Sequence, residues 1–352
     1  MTTSRKLPDT YNVSTYGDGA EYDYTSLAAW EADTDTDLVA AGAGEVLDVA
    51  EGGYDDGAVV AGAVTSSTLF RVIRAAPGAE NRCRKDAGAR FVSAVRNLLI
   101  QWDEAYGGVY DLGLCLGARN DSSWRFLLRL NAAHARAAGC FAYDSVNNGT
   151  GQMLGIYPRN TAGISCVANC LAHNVDRGFY VDDVGTGNTA YMYNCTAAGC
   201  TYGVHAYRGT VEAKNCAVEG NDTNYYAAAG AAINKTACTD GDGVVFEDQE
   251  SGDLHLAEAD AAARNQGADL SADPVFAFDD DIDGDTRNPA GWDIGADEGV
   301  IERAAAGGLA AGDQAAQHQV ANGLASLTWS GKQPSIAWSG KQPALAIAGR
   351  PA

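Results

Sequence analysis

Asn169-Cys170, Asn194-Cys195 and Asn215-Cys216 repeat one dipeptide along a single stretch, and Cys238 follows them. Successive cysteines lie 25, 21 and 22 residues apart (195 − 170, 216 − 195, 238 − 216). That spacing is too regular for scattered core thiols and too short for a folded domain. Each interval therefore forms one coil of a solenoid. About 22 residues hold three short strands and their corners, so the expected fold is all-β, a parallel β-helix. A stacked Asn column can exchange side-chain hydrogen bonds from coil to coil, and the adjacent Cys column fills small apolar space.

Aligned coils agree in residue type. Gly178-Phe179-Tyr180-Val181-Asp182-Asp183-Val184 lies 25 positions above Gly203-Val204-His205-Ala206-Tyr207-Arg208-Gly209. Strand alternation turns Phe179, Val181, Val204 and Ala206 inward and Tyr180, Asp182, His205 and Tyr207 outward. Further strands are expected at residues 45–49, 58–64, 69–73, 91–101, 109–116 and 124–130.

The organisation expected is a lead-in with a capping helix over 1–35, the β-helix over 36–300, a linker over 301–325 and a tail of short strands over 326–352. Residues 1–24 look irregular. Thr25 or Ser26 then N-caps a helix whose Leu27 and Trp30 share one face, suited to plugging the open end of the solenoid. The linker is rich in Ala, Gly and Gln. In the tail, the segment from Leu327 to Pro334 recurs nine residues later from Ile336 to Pro343, and again in degenerate form from Leu345 to Pro351. Three such strands bury too little to fold alone, so the tail needs a partner surface. Trp329, Lys332, Trp338, Lys341 and Arg350 are its anchoring candidates.

The formal charge is −22, which argues against a nucleic-acid partner, because phosphate binding needs clustered Lys and Arg. Residues 301–352 carry two acidic and four basic side chains, a net of +2, so the body carries −24. No apolar run approaches the roughly 20 residues of a membrane span, and residues 1–9 lack the apolar stretch of a signal peptide. Nine cysteines, an odd number, are expected to stay reduced. Cys166, Cys170 and His173, and one coil later Cys195, Cys200 and His205, invite comparison with zinc ligands. No Cys-x-x-Cys pair accompanies them, and the repeat already accounts for the thiols as core.

Two segments carry a family resemblance. Val13 through Ala32, with Tyr16-Gly17-Asp18-Gly19, Asp23 and Thr25, resembles the opening of right-handed parallel β-helix proteins of the pectate-lyase-like superfamily, phage tailspikes included. Asp253-Leu254-His255-Leu256, Asn265-Gln266-Gly267-Ala268 and the run from Asp281 to Glu298 resemble the closing segment of bacterial and phage β-helix repeat proteins. The resemblance implies a right-handed coil, and it admits polysaccharide lyases and hydrolases, receptor-binding spikes and structural virion parts alike. The polygalacturonase arrangement of Asp residues with Gly-His-Gly and Arg-x-Lys is missing, as is the calcium-and-arginine pattern of pectate lyases.

Catalytic candidates are Asp182, Asp183, His205 and Arg208. Adjacent carboxylates on one strand point apart, however, and Asp183 with Arg208 fits an ion pair better than an acid–base couple. Tyr180, His205 and Tyr226 align in one outward column with Tyr207 beside them, a set of rings suited to stacking on sugars. Asp281, Asp283 and Asp285 have the oxygen density of a Ca2+ loop without the closing Glu of an EF-hand, and Asp297 or Glu298 is the distant alternative ligand. No cofactor is otherwise expected. The function expected is a phage virion component, a spike, fibre or decoration displaying a β-helix, trimeric by analogy with tailspikes, bound to other virion proteins through its tail and to surface glycan through its face. The alternative is a polysaccharide-active lyase or hydrolase.

Overall fold

The computed structural model describes residues 3–117, 123–144, 152–159, 164–182, 189–241 and 243–299. It is a right-handed parallel β-helix whose coils contribute one strand to each of three parallel sheets. The hand is the one that crossovers between parallel strands strongly prefer. The first sheet has nine strands, from Tyr11–Tyr16 to Ala232–Thr236; the second has seven, from Ala58–Val60 to Thr223–Ala227; the third has seven, from Gly52–Tyr54 to Ala217–Glu219. Within a coil the chain runs from the first sheet through a tight corner to the third, then to the second. Ile164–Ala168, Leu171–His173 and Arg177–Asp182 are one such circuit.

The Asn-Cys dipeptides form the corner between the first and third sheets. Asn169, Asn194 and Asn215 have φ of 49°, 51° and 51°, the left-handed conformation that asparagine tolerates better than most residues. The next side chain then turns inward, and Cys170, Cys195 and Cys216 stack in the core with Cys238 at its margin. Three of the thiols donate to carbonyls of the preceding coil, Cys195 to Val167, Cys216 to Met192 and Cys238 to Ala213, at 3.6, 3.3 and 3.5 Å. The column runs further back than the dipeptide shows. Cys140 follows Gly139 (φ 66°) and Leu112 follows Asp111 (φ 62°), both in the same core. Cys166, by contrast, lies in a separate outer cluster from Cys170.

The capping helix is Leu27–Thr34, with the Ser26 hydroxyl accepting from the Ala29 amide. Leu27 and Trp30 are fully buried against the open end of the core. Three expectations change. The lead-in is not wholly irregular, because Tyr11–Tyr16 pairs in register with Gly44–Val49 and starts the first sheet. The run expected over 91–101 is two strands, Ala89–Ser93 and Leu98–Trp102, and that over 109–116 is Gly108–Tyr110 and Gly113–Leu116, each pair separated by a corner. No Gly or Pro marks these corners: the first is Ala94-Val95-Arg96-Asn97, with Val95 exposed, and the second turns at Asp111 (φ 62°). The linker and the tail, including Trp329, Lys332, Trp338, Lys341 and Arg350, lie outside the described residues.

Residues 244–299 fold back along the outside of the coil. Val244, Phe246, Leu254, Leu256, Ile282 and Ile294 pack on the outer face of the third sheet. Leu270, Phe276, Phe278 and Trp292 pack against Cys166, Ala168 and Tyr193 on the first. The Asn column is what this segment grips. Asn215 and Asn194 exchange one bond of 3.3 Å along the column, but the amides otherwise turn outward, to Ala268 O (2.7 Å), Asp293 O (3.2 Å) and Asp280 O (3.0 Å). The expected amide ladder is therefore mostly a docking strip.

Candidate functional site

The outer face of the second sheet is lined differently. Its outer cluster is Phe126, Leu154, Tyr157 and Tyr180, with no residue of the closing segment. Parallel pairing brings like positions of successive coils side by side: Tyr180 pairs with His205, and His205 with Tyr226. The rings of Tyr180 and Tyr226 meet His205 edge-on from either side, at centroid distances of 5.1 and 4.9 Å. Tyr207 stacks on Tyr180 at 6.3 Å. Such mutual cover leaves Tyr180 and His205 buried although they point outward, while Tyr207, Tyr226 and Trp124 remain 48, 43 and 43 % exposed.

Cations are threaded through this row. The Arg177 guanidinium lies over the rings of Trp124, Tyr180 and Tyr202, at 4.9, 5.3 and 5.8 Å. Arg129 lies over Phe126 and Tyr157. A planar cation held against ring faces is favourable and keeps its edge N–H groups directed outward. Trp124 and Tyr157 escaped sequence reasoning because their coils have unequal lengths, whereas Arg177 and Tyr202 pair in the 25-residue register one position before the aligned stretch.

The catalytic candidates separate. A bulge after Val181 pairs Asp182, not Asp183, with Arg208, and the ion pair joins Arg208 to Asp182. The 25-residue alignment had placed Tyr207 there; one extra residue in the later strand shifts the register. Asp183 lies outside the described residues. Asp182 also accepts from the Tyr157 hydroxyl at 3.3 Å, so its oxygens are engaged. His205 Nδ1 accepts from Arg177 Nε at 3.0 Å. Burial, and then the Arg177 charge, lower its pKa to about 4. The imidazole is therefore neutral with its proton on Nε2, which is buried and has no hydrogen-bond partner among the described residues. It can donate but cannot act as a base through Nδ1.

Beside this face, at the corner between the third and second sheets, lies a polar groove of about 520 Å³ lined by Arg125, Asp144, Asp176, Thr201 and Asp222 among others. Burial raises the Asp176 carboxyl, and Arg177 opposes the shift. Asp176, Thr201 and Asp222 follow the 25- and 21-residue spacing of Cys170, Cys195 and Cys216, but the residue type changes from coil to coil, so the repeat does not mark them as one groove.

The expected Ca2+ loop is rearranged. Asp281 and Asp283 converge with Asp297, their carboxylate oxygens within 4.8 Å of one another. Asp285 is exposed and contributes its backbone amide to Asp281 Oδ1 (2.8 Å). Alternating residues of the tight turn cannot all face inward, so the third ligand position falls to Asp297.

No protein-family model matches the chain, and no curated protein matches it. Among solved structures, a pectin methylesterase from Aspergillus niger is similar at 9 % identity with a TM-score of 0.44, covering 75 % of this chain and 95 % of that one. The pectate lyase Pel9A is similar at 12 % identity with a TM-score of 0.40, covering 82 % and 98 %.

Proposed function

We propose that the protein is a glycan-binding β-helix without catalytic activity at its aromatic face, displayed as a phage virion component. One observation carries the binding role: two of the three sheets have outer faces covered by the closing segment, while the second presents exposed rings and ring-stacked arginines in register. Flat rings stack on the apolar faces of pyranoses, and arginine N–H groups and tyrosine hydroxyls donate to sugar oxygens. Virion display rests on the nine-residue sequence repeats of 326–352, to which we assign trimerisation and attachment to other virion proteins.

Screening the full chain against a panel of bacterial surface polysaccharides tests the binding role. Retention by at least one, lost in a Tyr207→Ala/Tyr226→Ala double variant, is expected; retention unchanged in that variant overturns it. The groove favours one second reading, a polysaccharide-active enzyme using Asp144, Asp176 or Asp222. Turnover of a bound glycan that disappears in Asp176→Asn would establish that reading instead.

A further inference from the structure

Cys83 lies between two strands of the early coils, in a left-handed conformation with φ of 57°. Its carbonyl accepts from the Leu254 amide at 3.1 Å, and the Lys85 amide donates to Gly252 at 3.0 Å. These bonds pin the loop to the closing segment and aim a fully buried thiol at the last carboxylates of the fold. The ligating atoms of Cys83, His255 and Asp297 lie within 4.8 Å of one another.

We propose that Cys83, His255 and Asp297, with Asp283 completing the set, form a site for a borderline-soft divalent cation of the zinc class. Cys83 and Asp297 present unused lone pairs at this point, and a cation would take the place of the proton that His255 Nε2 shares with Asp283. The Cys83 thiol has no hydrogen-bond partner among the described residues, and the charges acting on it are Asp297, Asp283, Asp281 and Asp253. His255 Nδ1 is held by Asp253, which orients the ring and leaves Nε2 inward, 3.3 Å from Asp283 Oδ2. A carboxylate behind an imidazole is the support that metal-bound histidines generally have. Asp283 Oδ1 is sealed from solvent with no partner. Asp297 spends one oxygen on the Leu256 amide, at 2.7 Å, and keeps the other.

Sulfur and nitrogen beside carboxylate oxygens select zinc over calcium, which takes oxygen alone. Asp281 stays outside the set, because both its oxygens accept backbone N–H groups, from Asp285 and Glu298. Binding converts the Cys83 thiol to a thiolate and displaces the His255 Nε2 proton, and both protons go to solvent. The bound cation joins residue 83 to residues 255 and 297, clasping the closing segment onto the third sheet.

Cobalt titration of the full chain, stripped with chelator, tests this site. One equivalent should bind with a near-ultraviolet thiolate-to-cobalt band, displaced by Zn2+ and absent in Cys83→Ser. Asp283→Asn, at a partly exposed position, should keep the native circular dichroism and bind at least tenfold more weakly, so a folding failure of the serine variant does not leave the site unexamined. Three results would overturn the proposal: no cobalt uptake, a thiolate band that survives in Cys83→Ser, or thermal stabilisation by Ca2+ with none by Zn2+.

Discussion

The Arg287 guanidinium donates to the side-chain oxygen of Asn169 at 2.9 Å, across 118 positions of sequence. Arg287 is almost entirely buried, and its other N–H groups reach the carbonyls of Asp280, Gly295 and Ala296 and the carboxylate of Glu298. One side chain thus joins the corner column of the coil to both arms of the closing segment. Arg5 does the same from the N-terminal side, bridging Asp111 and Asp280 at 2.6 and 2.7 Å.

Arg287→Ala leaves a buried carboxylate and several carbonyls without donors. It should destabilise the fold by about 3–5 kcal/mol, the usual cost of removing one partner of a buried charged network. Urea unfolding measures this, and limited proteolysis of the variant should cut first within 243–299, where the clasp has been lost.

Trp30→Ala opens the plugged end. Trp30 is fully buried and the Arg71 guanidinium lies over its ring at 5.6 Å, so a loss of about 3–5 kcal/mol is expected. Exposed coil edges should also promote end-to-end association, visible as a concentration-dependent increase in light scattering.

Acid should weaken the fold through two buried imidazoles. His205 and His173 both have pKa values lowered to about 4 by burial, with Arg177 and Lys85 adding to it. The unfolded chain binds these protons from about pH 6.5. Their contribution is therefore complete above that pH, falls between pH 6.5 and about 4, and levels off below. The loss is roughly 2–3 kcal/mol per imidazole, measured by urea midpoints across that range. A His205→Gln/His173→Gln variant should show a flatter profile.

The thiol column should resist modification. Burial pushes Cys170 and Cys216 well above the ordinary thiol range, and neither side chain reaches solvent. Iodoacetamide followed by peptide mapping should label Cys238 first, the partly exposed member at the end of the row, and the others only on unfolding.

Much of this architecture is legible in the sequence where coils have equal length. Cys170, Cys195, Cys216 and Cys238 are evenly spaced, and the ring column of Tyr180, His205 and Tyr226 follows from that register. Upstream, 30 residues separate Cys140 from Cys170 and 28 separate Leu112 from Cys140; with Gly139 and Asp111 in place of asparagine, the same column is invisible. The bulge that moved Arg208 onto Asp182 leaves no trace in composition. The Asn column donates to backbone carbonyls 53 to 111 positions away, which no side-chain pattern records. Cys83 and His255 meet for the same reason, through a backbone pairing rather than a motif.

Oxidative footprinting of the glycan-bound protein tests the binding face most directly, because the modified side chains are those left open to solvent. Protection confined to Trp124, Tyr207 and Tyr226 is the predicted result. Unchanged oxidation of these three rings in a saturated complex would contradict it and place the ligand elsewhere on the coil.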